Sequence, residues 1–306
     1  MIHGILNLIR WKNLLMIAFM QYLIRYGFFQ PFNVNTVLSD LQFVLLIIAT
    51  LCIAAGGNII NDIYDIETDY INKPDKIVVG KLISEKSAYN LFIILNVIGV
   101  IVGFYLAHAI NKSELFSIFV IVSILLYLYA SYLKQTFLIG NLIVSALVGL
   151  SILIVGVFDL VPNITNHNIN VELFYFKILF EYAVFAVFLN FIREIVKDVE
   201  DIDGDRKSGM HTLPIIIGIK RTSIVLFILT ITLTALVYLY VYDKFFEEIA
   251  IIIYFLFFII GPLLYSSILI LMTKSKENLH QISTVLKLIM LFGMLSLLLY
   301  NYILIK

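Results

Sequence analysis

Nine long apolar stretches occupy most of the chain, and they restrict its fold more than any other feature. They cover roughly residues 13–31, 41–61, 87–109, 114–133, 138–158, 173–193, 222–242, 248–272 and 283–304. Segments of about 20 apolar residues cross a bilayer as α-helices, because the backbone groups must then bond within their own segment. We therefore expect an all-α, multi-pass transmembrane bundle of nine helices, formed by a single domain over residues 1–306.

The composition supports a membrane protein and argues against a nucleic-acid-binding one. Of the 306 residues, 61% are hydrophobic, which exceeds the usual share in soluble domains. The formal net charge is zero, so no excess of basic residues is available to attract nucleic acid. Membrane lipids are therefore the expected surroundings, and nucleic acid is not an expected partner.

The distribution of Lys and Arg predicts the orientation of the nine spans. With a cytoplasmic N-terminus, the opposite side clearly receives only Lys112, Lys244 and Lys306. The cytoplasmic side receives Arg10, Lys12, Lys73, Lys76, Lys81, Lys86, Lys134, Arg193, Lys197, Arg206, Lys207, Lys220, Arg221, Lys274 and Lys276. This bias follows the positive-inside rule. It places the two longest polar connections, 62–86 and 194–221, on the cytoplasmic face of a plasma (inner) membrane.

Each of these two connections carries an acidic motif with the spacing D-x-x-D-x-x-x-D. The motifs consist of Asp62, Asp65 and Asp69, and of Asp198, Asp201 and Asp205. Because an α-helix turns about 100° per residue, each triplet is expected to share one helix face. Carboxylates this close repel one another unless a cation neutralises them. Two facing motifs predict a Mg²⁺ site, since Mg²⁺ binds carboxylates together with phosphate oxygens and water.

Basic and amide side chains close to the motifs are candidates for binding a diphosphate. Fixed positive charge stabilises a departing anion, and amides donate hydrogen bonds to it. We assign this role to Asn58, Asn61, Lys73, Lys76, Lys81, Lys134, Asn141, Arg193 and Lys197. The six aspartates are the expected catalytic residues, acting through metal that they hold directly or through water.

Other interpretations of the acidic motifs fit the sequence less well. Solvated loop charges would explain one motif, but not two with the same spacing on the same side. An EF-hand-like loop beginning at Asp201 would need Gly at its sixth position and Glu at its twelfth, where this chain has Arg206 and Thr212. An ion-coupled transporter would place acidic groups near mid-membrane, whereas these lie at helix ends. A purely structural scaffold explains neither motif.

The two motifs resemble those of the UbiA superfamily of intramembrane prenyltransferases. Residues 61–69 are similar to its first aspartate-rich motif, and residues 198–205 are similar to its second. Residues 129–134, the pair Gly140-Asn141, and 212–214 with Gly218 also match, so the resemblance covers nearly the whole chain. Residues 65–74 and 193–198 look most like the ether-lipid branch, the geranylgeranylglycerol-phosphate geranylgeranyltransferases.

The resemblance implies nine helices and a Mg²⁺-dependent prenyltransferase. Such an enzyme moves an isoprenoid group from an isoprenyl diphosphate donor, similar to geranylgeranyl diphosphate, to a glycerol-phosphate lipid acceptor and releases diphosphate. An aromatic acceptor of quinone biosynthesis is the alternative. After its first motif the family usually has an Arg-Pro-x-x-Ser-Gly-Arg-like segment, whereas this chain has Lys73, Val79 and Lys81 at the arginine and serine positions. The acceptor and the donor chain length therefore stay open at this point.

Overall fold

The computed structural model describes residues 2–272 and 275–301, and nearly all of this backbone is helical. The α-helices are α1 Ile2–Leu8, α2 Trp11–Tyr22, α3 Asp40–Tyr64, α4 Ile66–Asn72, α5 Glu85–Ala109, α6 Ser117–Ser131, α7 Ile139–Asp159, α8 Ile169–Glu200, α9 Ile202–Lys207, α10 Leu213–Ile217, α11 Ile219–Phe245, α12 Ile249–Phe255, α13 Gly261–Met272 and α14 Lys276–Ser296. The predicted all-α fold is confirmed.

Eight helical segments within the described residues are long and apolar enough to cross a membrane. They are Asp40–Tyr64, Glu85–Ala109, Ser113–Ser131, Ile139–Asn163, Ile169–Glu200, Ile219–Phe245, Ile249–Met272 and Lys276–Leu299. These segments coincide with the second to ninth predicted spans and confirm a multi-pass membrane protein. Residues 302–304 of the last predicted span lie outside the described residues.

The first predicted span, 13–31, is less apolar than the others. It lies in a continuous helical stretch that consists of α2, a π-helix at Leu23–Phe29 and a 3₁₀ helix at Gln30–Phe32. Gln21 and Arg25 lower the hydropathy of this stretch, which is not among the eight apolar segments. Length and composition therefore mark eight spans in the described residues, rather than the nine that the sequence predicted.

Local sequence signals explain where the long helices begin and how closely they pack. Ser39 forms a capping box at the start of α3. Its hydroxyl accepts from the backbone N–H of Gln42, and the side-chain oxygen of Gln42 accepts from the backbone N–H of Ser39. On α5, Gly99 and Gly103 form a small-xxx-small pair. Gly99 faces Ile53 of α3 and Gly103 faces Phe119 of α6, so a side chain at either position would separate these helices.

Each acidic motif lies where a long helix meets a short one. Asp65 separates α3 from α4, and Asp201 separates α8 from α9, with nearly equal backbone angles: φ −95° and ψ 2° at Asp65, and φ −97° and ψ 7° at Asp201. The prediction that each triplet lies on the face of one continuous helix was therefore wrong. In each motif the first aspartate lies in the last turn of a membrane helix, and the third lies on the short helix that follows.

Candidate active site

A large cavity connects both acidic motifs to the apolar interior of the bundle. Its volume is about 970 Å³, which is in the range of ligand-binding clefts. Along α7 its lining extends from Asn141 to Ile154, about 20 Å at the helical rise per residue. Apolar side chains line the part away from the motifs, among them Ile53, Phe119, Val122, Leu126 and Val148. The cavity thus combines a charged end with an apolar one, as a ligand with an anionic head and a hydrocarbon tail requires.

Basic side chains from elsewhere in the chain neutralise the first motif. Arg10, between α1 and α2, pairs with Asp62 at 2.8 Å. Lys134, in the connection between α6 and α7, pairs with Asp65 at 2.5 Å. The Asn61 amide donates to the other oxygen of Asp65 at 2.6 Å. The close carboxylates of this motif are therefore stabilised by cations that the fold brings to them.

The Gly140-Asn141 pair at the start of α7 serves both motifs. A Cβ atom at Gly140 would lie 2.6 Å from the Cα of Lys134, so only glycine lets the connection that carries this lysine approach. Asn141 then donates its amide to Asp198 of the second motif at 2.7 Å. One short sequence thereby positions a partner for each motif.

Lys73 connects the end of the first motif to the middle of the second. Its ammonium group lies 2.6 Å from an oxygen of Asp201. Although burial lowers it, the neighbouring carboxylate of Asp201 raises the pKa of Lys73 above its usual value overall. This lysine is thus charged at neutral pH and joins the two connections electrostatically.

Neutral hydrogen bonds also join the two short helices α4 and α9. The Asn72 amide donates to the carbonyl of Asp201 and accepts from the backbone nitrogen of Gly204, both at 2.9 Å. A Cβ atom at Gly204 would collide with the Asn72 side chain, so this close approach needs glycine. The hydroxyls of Thr68 and Ser208 meet at 2.8 Å. The two motifs are therefore held against each other by their own connections.

The third aspartate of each motif lies on a short helix, where its negative charge is disfavoured. Burial, followed by the charge of Asp65, raises the pKa of Asp69 to about 6. Burial, followed by the charge of Asp201, raises the pKa of Asp205 to about 7. Burial and like charges both disfavour ionisation, and a bound cation would reverse this effect.

The donor atoms of the two motifs suit a hard cation. All six aspartates line the cavity and offer carboxylate oxygens. Among the residues that the structure describes, no three Asp, Glu, His or Cys side chains are placed to hold a metal ion by themselves. Mg²⁺ fits this arrangement, because it uses few protein carboxylates and completes its coordination with water and phosphate oxygens.

A separate group of charges lines the cavity on α8 and α14. Arg193 donates to Glu194 at 3.0 Å, and Lys197 donates to both oxygens of Glu194 at 2.9 Å. Lys287 of α14 donates to Asn13 of α2 at 3.1 Å. We refer to Arg193, Lys197 and Lys287 as the basic cluster. All three line the same cavity as the acidic motifs.

The structure brings most of the predicted ligand-binding residues to the cavity. Asn58 lines it, although its amide donates to the carbonyl of Ile9 at 3.0 Å. Lys81 lies outside the described cavity lining, because its ammonium group donates to the carbonyl of Pro74 at 2.8 Å on the protein surface. The side chain of Lys76 lies outside the described part of the chain.

Several cavity residues were missed from the sequence. Arg10 entered the sequence analysis only through the charge distribution, and no role was assigned to Lys287, Asn72 or Asn13. Asn13 is a polar residue at the start of the first span, and Lys287 is a lysine within an apolar stretch. Each of these features could have indicated a functional position in the sequence. Without a structure, nothing connects these two positions, which are 274 residues apart.

Known proteins resemble the chain in sequence. The digeranylgeranylglyceryl phosphate synthase of Methanosphaera stadtmanae is 36% identical over 259 residues, 82% of this chain and 86% of the relative. The synthase of the same name from Korarchaeum cryptofilum is 34% identical over 272 residues, 87% of this chain and 88% of the relative.

Solved structures and a family profile complete the comparison. A digeranylgeranylglyceryl phosphate synthase structure, 29% identical, aligns over 99% of both chains with a TM-score of 0.66. A UbiA homologue from Archaeoglobus fulgidus bound to GPP and Mg²⁺, 18% identical, has the same fold, with a TM-score of 0.57 over 96% of this chain and 99% of the other. The profile of the UbiA prenyltransferase family matches residues 14–291, which confirms the resemblance found in the sequence. The chain therefore belongs to the UbiA prenyltransferase family.

Proposed function

We propose that this protein transfers a geranylgeranyl group from geranylgeranyl diphosphate to geranylgeranylglyceryl phosphate, and thereby acts as a digeranylgeranylglyceryl phosphate synthase. The observation that carries the proposal is one cavity that joins two facing acidic motifs to an apolar interior. Relatives with this name match more than four fifths of the chain, which supports the choice of a lipid acceptor. An aromatic acceptor is the alternative that the assay below tests.

The acidic motifs are proposed to hold Mg²⁺ and the donor diphosphate. Asp62, Asp65, Asp69, Asp198, Asp201 and Asp205 would bind the metal, directly or through water. When bound, Mg²⁺ supplies positive charge to the diphosphate as that group leaves. Lys73 and Lys134 already lie within 2.6 Å of motif carboxylates, and they would contact diphosphate oxygens together with Asn58, Asn61 and Asn141. Lys76 stays a sequence prediction, and the position of Lys81 gives it no part in this site.

The transfer itself is a substitution at the first carbon of the isoprenoid. The carbon–oxygen bond of the donor breaks, and its electron pair leaves with the diphosphate. The acceptor hydroxyl forms the new ether bond and loses its proton to a carboxylate of the site or to water. The apolar part of the cavity holds the isoprenoid tail and keeps water from the reactive carbon.

The helical stretch from α2 to Phe32 is proposed to cross the membrane as well, which brings the number of spans from eight to nine. Its polar side chains face protein rather than lipid: Gln21 donates to the carbonyl of Ser151 at 3.0 Å, and Arg25 donates to both oxygens of Asp159 at 2.8 Å. Polar donors that are bonded to protein in this way are tolerated within a bilayer. With nine spans, the Lys and Arg distribution supports motifs on the cytoplasmic face of the plasma (inner) membrane, within one proposed domain over residues 1–306.

An acceptor assay with purified protein tests the proposed function. The protein would be given Mg²⁺ and radiolabelled geranylgeranyl diphosphate, with geranylgeranylglyceryl phosphate and dihydroxynaphthoate offered as acceptors in parallel. We expect label in the first product and loss of that label in Asp62→Ala. Label in the aromatic product alone would move the enzyme to quinone biosynthesis. Ion flux in vesicles without any labelled product would replace the enzyme by a transporter.

A further inference from the structure

The basic cluster differs in its charge balance from the three cavity cations that lie beside the acidic motifs. Arg10, Lys134 and Lys73 each pair with an aspartate of the acidic motifs. Arg193 and Lys197, by contrast, share the single carboxylate of Glu194. The cations beside the acidic motifs are thus used to neutralise carboxylates, whereas the cluster keeps positive charge in excess.

Lys287 increases this excess. Its hydrogen-bond partner is the neutral side chain of Asn13, and the positive charges of Arg193, Lys197 and Arg10 act on it. Counted over direct contacts, three cations and one carboxylate leave the basic cluster with two surplus positive charges. The carboxylates of Glu200 and Asp198 also act on the cluster, from beyond ion-pair distance. Like charges are held together at a cost unless an anion is present.

The position of Lys287 within α14 makes a purely structural role a poor explanation. It lies 11 residues after the start of that helix, about 17 Å along its axis, in a segment apolar enough to cross a membrane. An ionisable residue at such depth is costly and is by default a candidate for function. A neutral residue would bond to Asn13 without that cost.

Arg193 gives a second, independent indication of a ligand. Arg193 is only 9% exposed, and it lines the cavity. One nitrogen, Nε, is buried and has no hydrogen-bond partner among the residues that the structure describes. Buried donors are normally satisfied, so this one points to an acceptor atom of a bound group.

We infer that the basic cluster binds the phosphate of the glycerol-phosphate acceptor, as a site separate from the one for the donor diphosphate. This inference rests on the proposed function, and it moves Arg193 and Lys197 from donor binding to acceptor binding. A phosphate monoester carries about 1.5 to 2 negative charges at neutral pH, which matches the surplus of the cluster. Because the acceptor hydroxyl is only a few bonds from its phosphate, the cluster also positions the nucleophile within the cavity.

The decisive variant is Lys287→Gln, which removes the charge and keeps the ability to bond to Asn13. We expect its KM for geranylgeranylglyceryl phosphate to rise about 10- to 100-fold, the effect of losing a charged hydrogen bond, while its KM for geranylgeranyl diphosphate stays the same. Lys287→Arg should recover most of the loss. The matched control is Lys244→Gln, since Lys244 pairs only with its neighbour Asp243 among the described ion pairs and lies outside the cavity.

A preference ratio makes the test independent of total activity. Wild-type protein should favour geranylgeranylglyceryl phosphate over geranylgeranylglycerol, which lacks the phosphate, and Lys287→Gln should lose most of this preference. Equilibrium binding of geranylgeranyl diphosphate with Mg²⁺ checks that the variant is folded. If Lys287→Gln does not fold, Lys197→Gln takes its place with the same expected result.

The outcomes separate this inference from the proposed function. Wild-type protein that labels no glycerol-phosphate acceptor would contradict the proposed function itself. Active wild-type protein whose Lys287→Gln variant has a raised KM for the donor, with the phosphate preference intact, would overturn the inference and return the cluster to diphosphate binding. Unchanged kinetics with both acceptors would show that Lys287 has a structural role only.

Discussion

The first acidic motif, on α3 and α4, and the second, on α8 and α9, have the same backbone shape but different charge partners. In both, the middle aspartate stands at the helix break and pairs with a lysine: Asp65 with Lys134, and Asp201 with Lys73. The first aspartates differ, because Asp62 pairs with a charged arginine and Asp198 accepts from a neutral asparagine.

This difference shows which half of the site depends more on a metal. The first motif carries its own neutralising cations at two positions. The second has a cation at one position, and its third aspartate has the more strongly raised pKa, about 7 against about 6 for Asp69. Carboxylates that have no lysine or arginine partner are stabilised most by a bound metal cation. We therefore expect the second motif to contribute more to the metal affinity than the first.

The largest expected effect is the loss of either first aspartate. Asp62→Ala and Asp198→Ala should each lower turnover by about 1000-fold or more, because several kcal/mol of stabilisation of the leaving group depends on the metal site. Turnover of purified protein in detergent measures this. Glu67→Ala and Asp203→Ala are matched controls, since both residues are exposed carboxylates in the same two connections. An active Asp198→Ala enzyme would contradict the role of the second motif in metal binding.

The two lysines that pair with the middle aspartates should come next in effect. Lys134→Gln and Lys73→Gln are each expected to raise the KM for geranylgeranyl diphosphate about 10- to 100-fold, the range for a lost charged hydrogen bond. Because each substitution leaves a motif carboxylate without its fixed cation, the Mg²⁺ affinity should rise in both variants. A fall in Mg²⁺ affinity in Lys73→Gln alone would show that this lysine acts mainly by joining the two connections.

These partners also show how far the sequence could be read. The spacing of the aspartates was enough to find both motifs and to place each at the end of a membrane helix. It did not reveal the helix breaks at Asp65 and Asp201, because neither position carries a proline or glycine signal and the short helices are fixed by contacts between α4 and α9. Arg10 and Lys287 reach the cavity through packing of distant helices, which no local pattern encodes.

The pH dependence of metal binding is expected to follow the third aspartates of the two motifs. Both carboxyls must lose a proton to hold Mg²⁺, so lowering the pH through about 7 protonates Asp205 first, and lowering it through about 6 protonates Asp69. The Mg²⁺ affinity should therefore fall with decreasing pH, by up to about tenfold per unit for each displaced proton. Calorimetric titration between pH 5.5 and 8 would show it.

Substitution assigns the two steps of this profile. Asp205→Asn should remove the step near pH 7 and keep the one near pH 6, while Asp69→Asn should do the reverse. Both variants are expected to bind Mg²⁺ more weakly than wild-type protein at pH 8, with the larger loss in Asp205→Asn. A pH-independent affinity in wild-type protein would show that neither carboxyl titrates in this range.

The smallest expected effect concerns the hydrogen bonds that hold the two motifs together. Asn72→Ala removes one donor and one acceptor between α4 and α9, and leaves the Gly204 nitrogen without its partner. We expect a loss of about 1 to 3 kcal/mol in the stability of this contact, seen as a Tm lower by a few degrees and as Mg²⁺ affinity reduced several-fold. Thr68→Ala, which removes only the hydroxyl contact with Ser208, should cost less.

Because neither side chain carries charge, the effect on Mg²⁺ must come through the distance between the motifs, so excess Mg²⁺ should restore much of the lost Tm in Asn72→Ala. A Tm deficit that saturating Mg²⁺ leaves unchanged would mean that the metal does not bridge the two motifs.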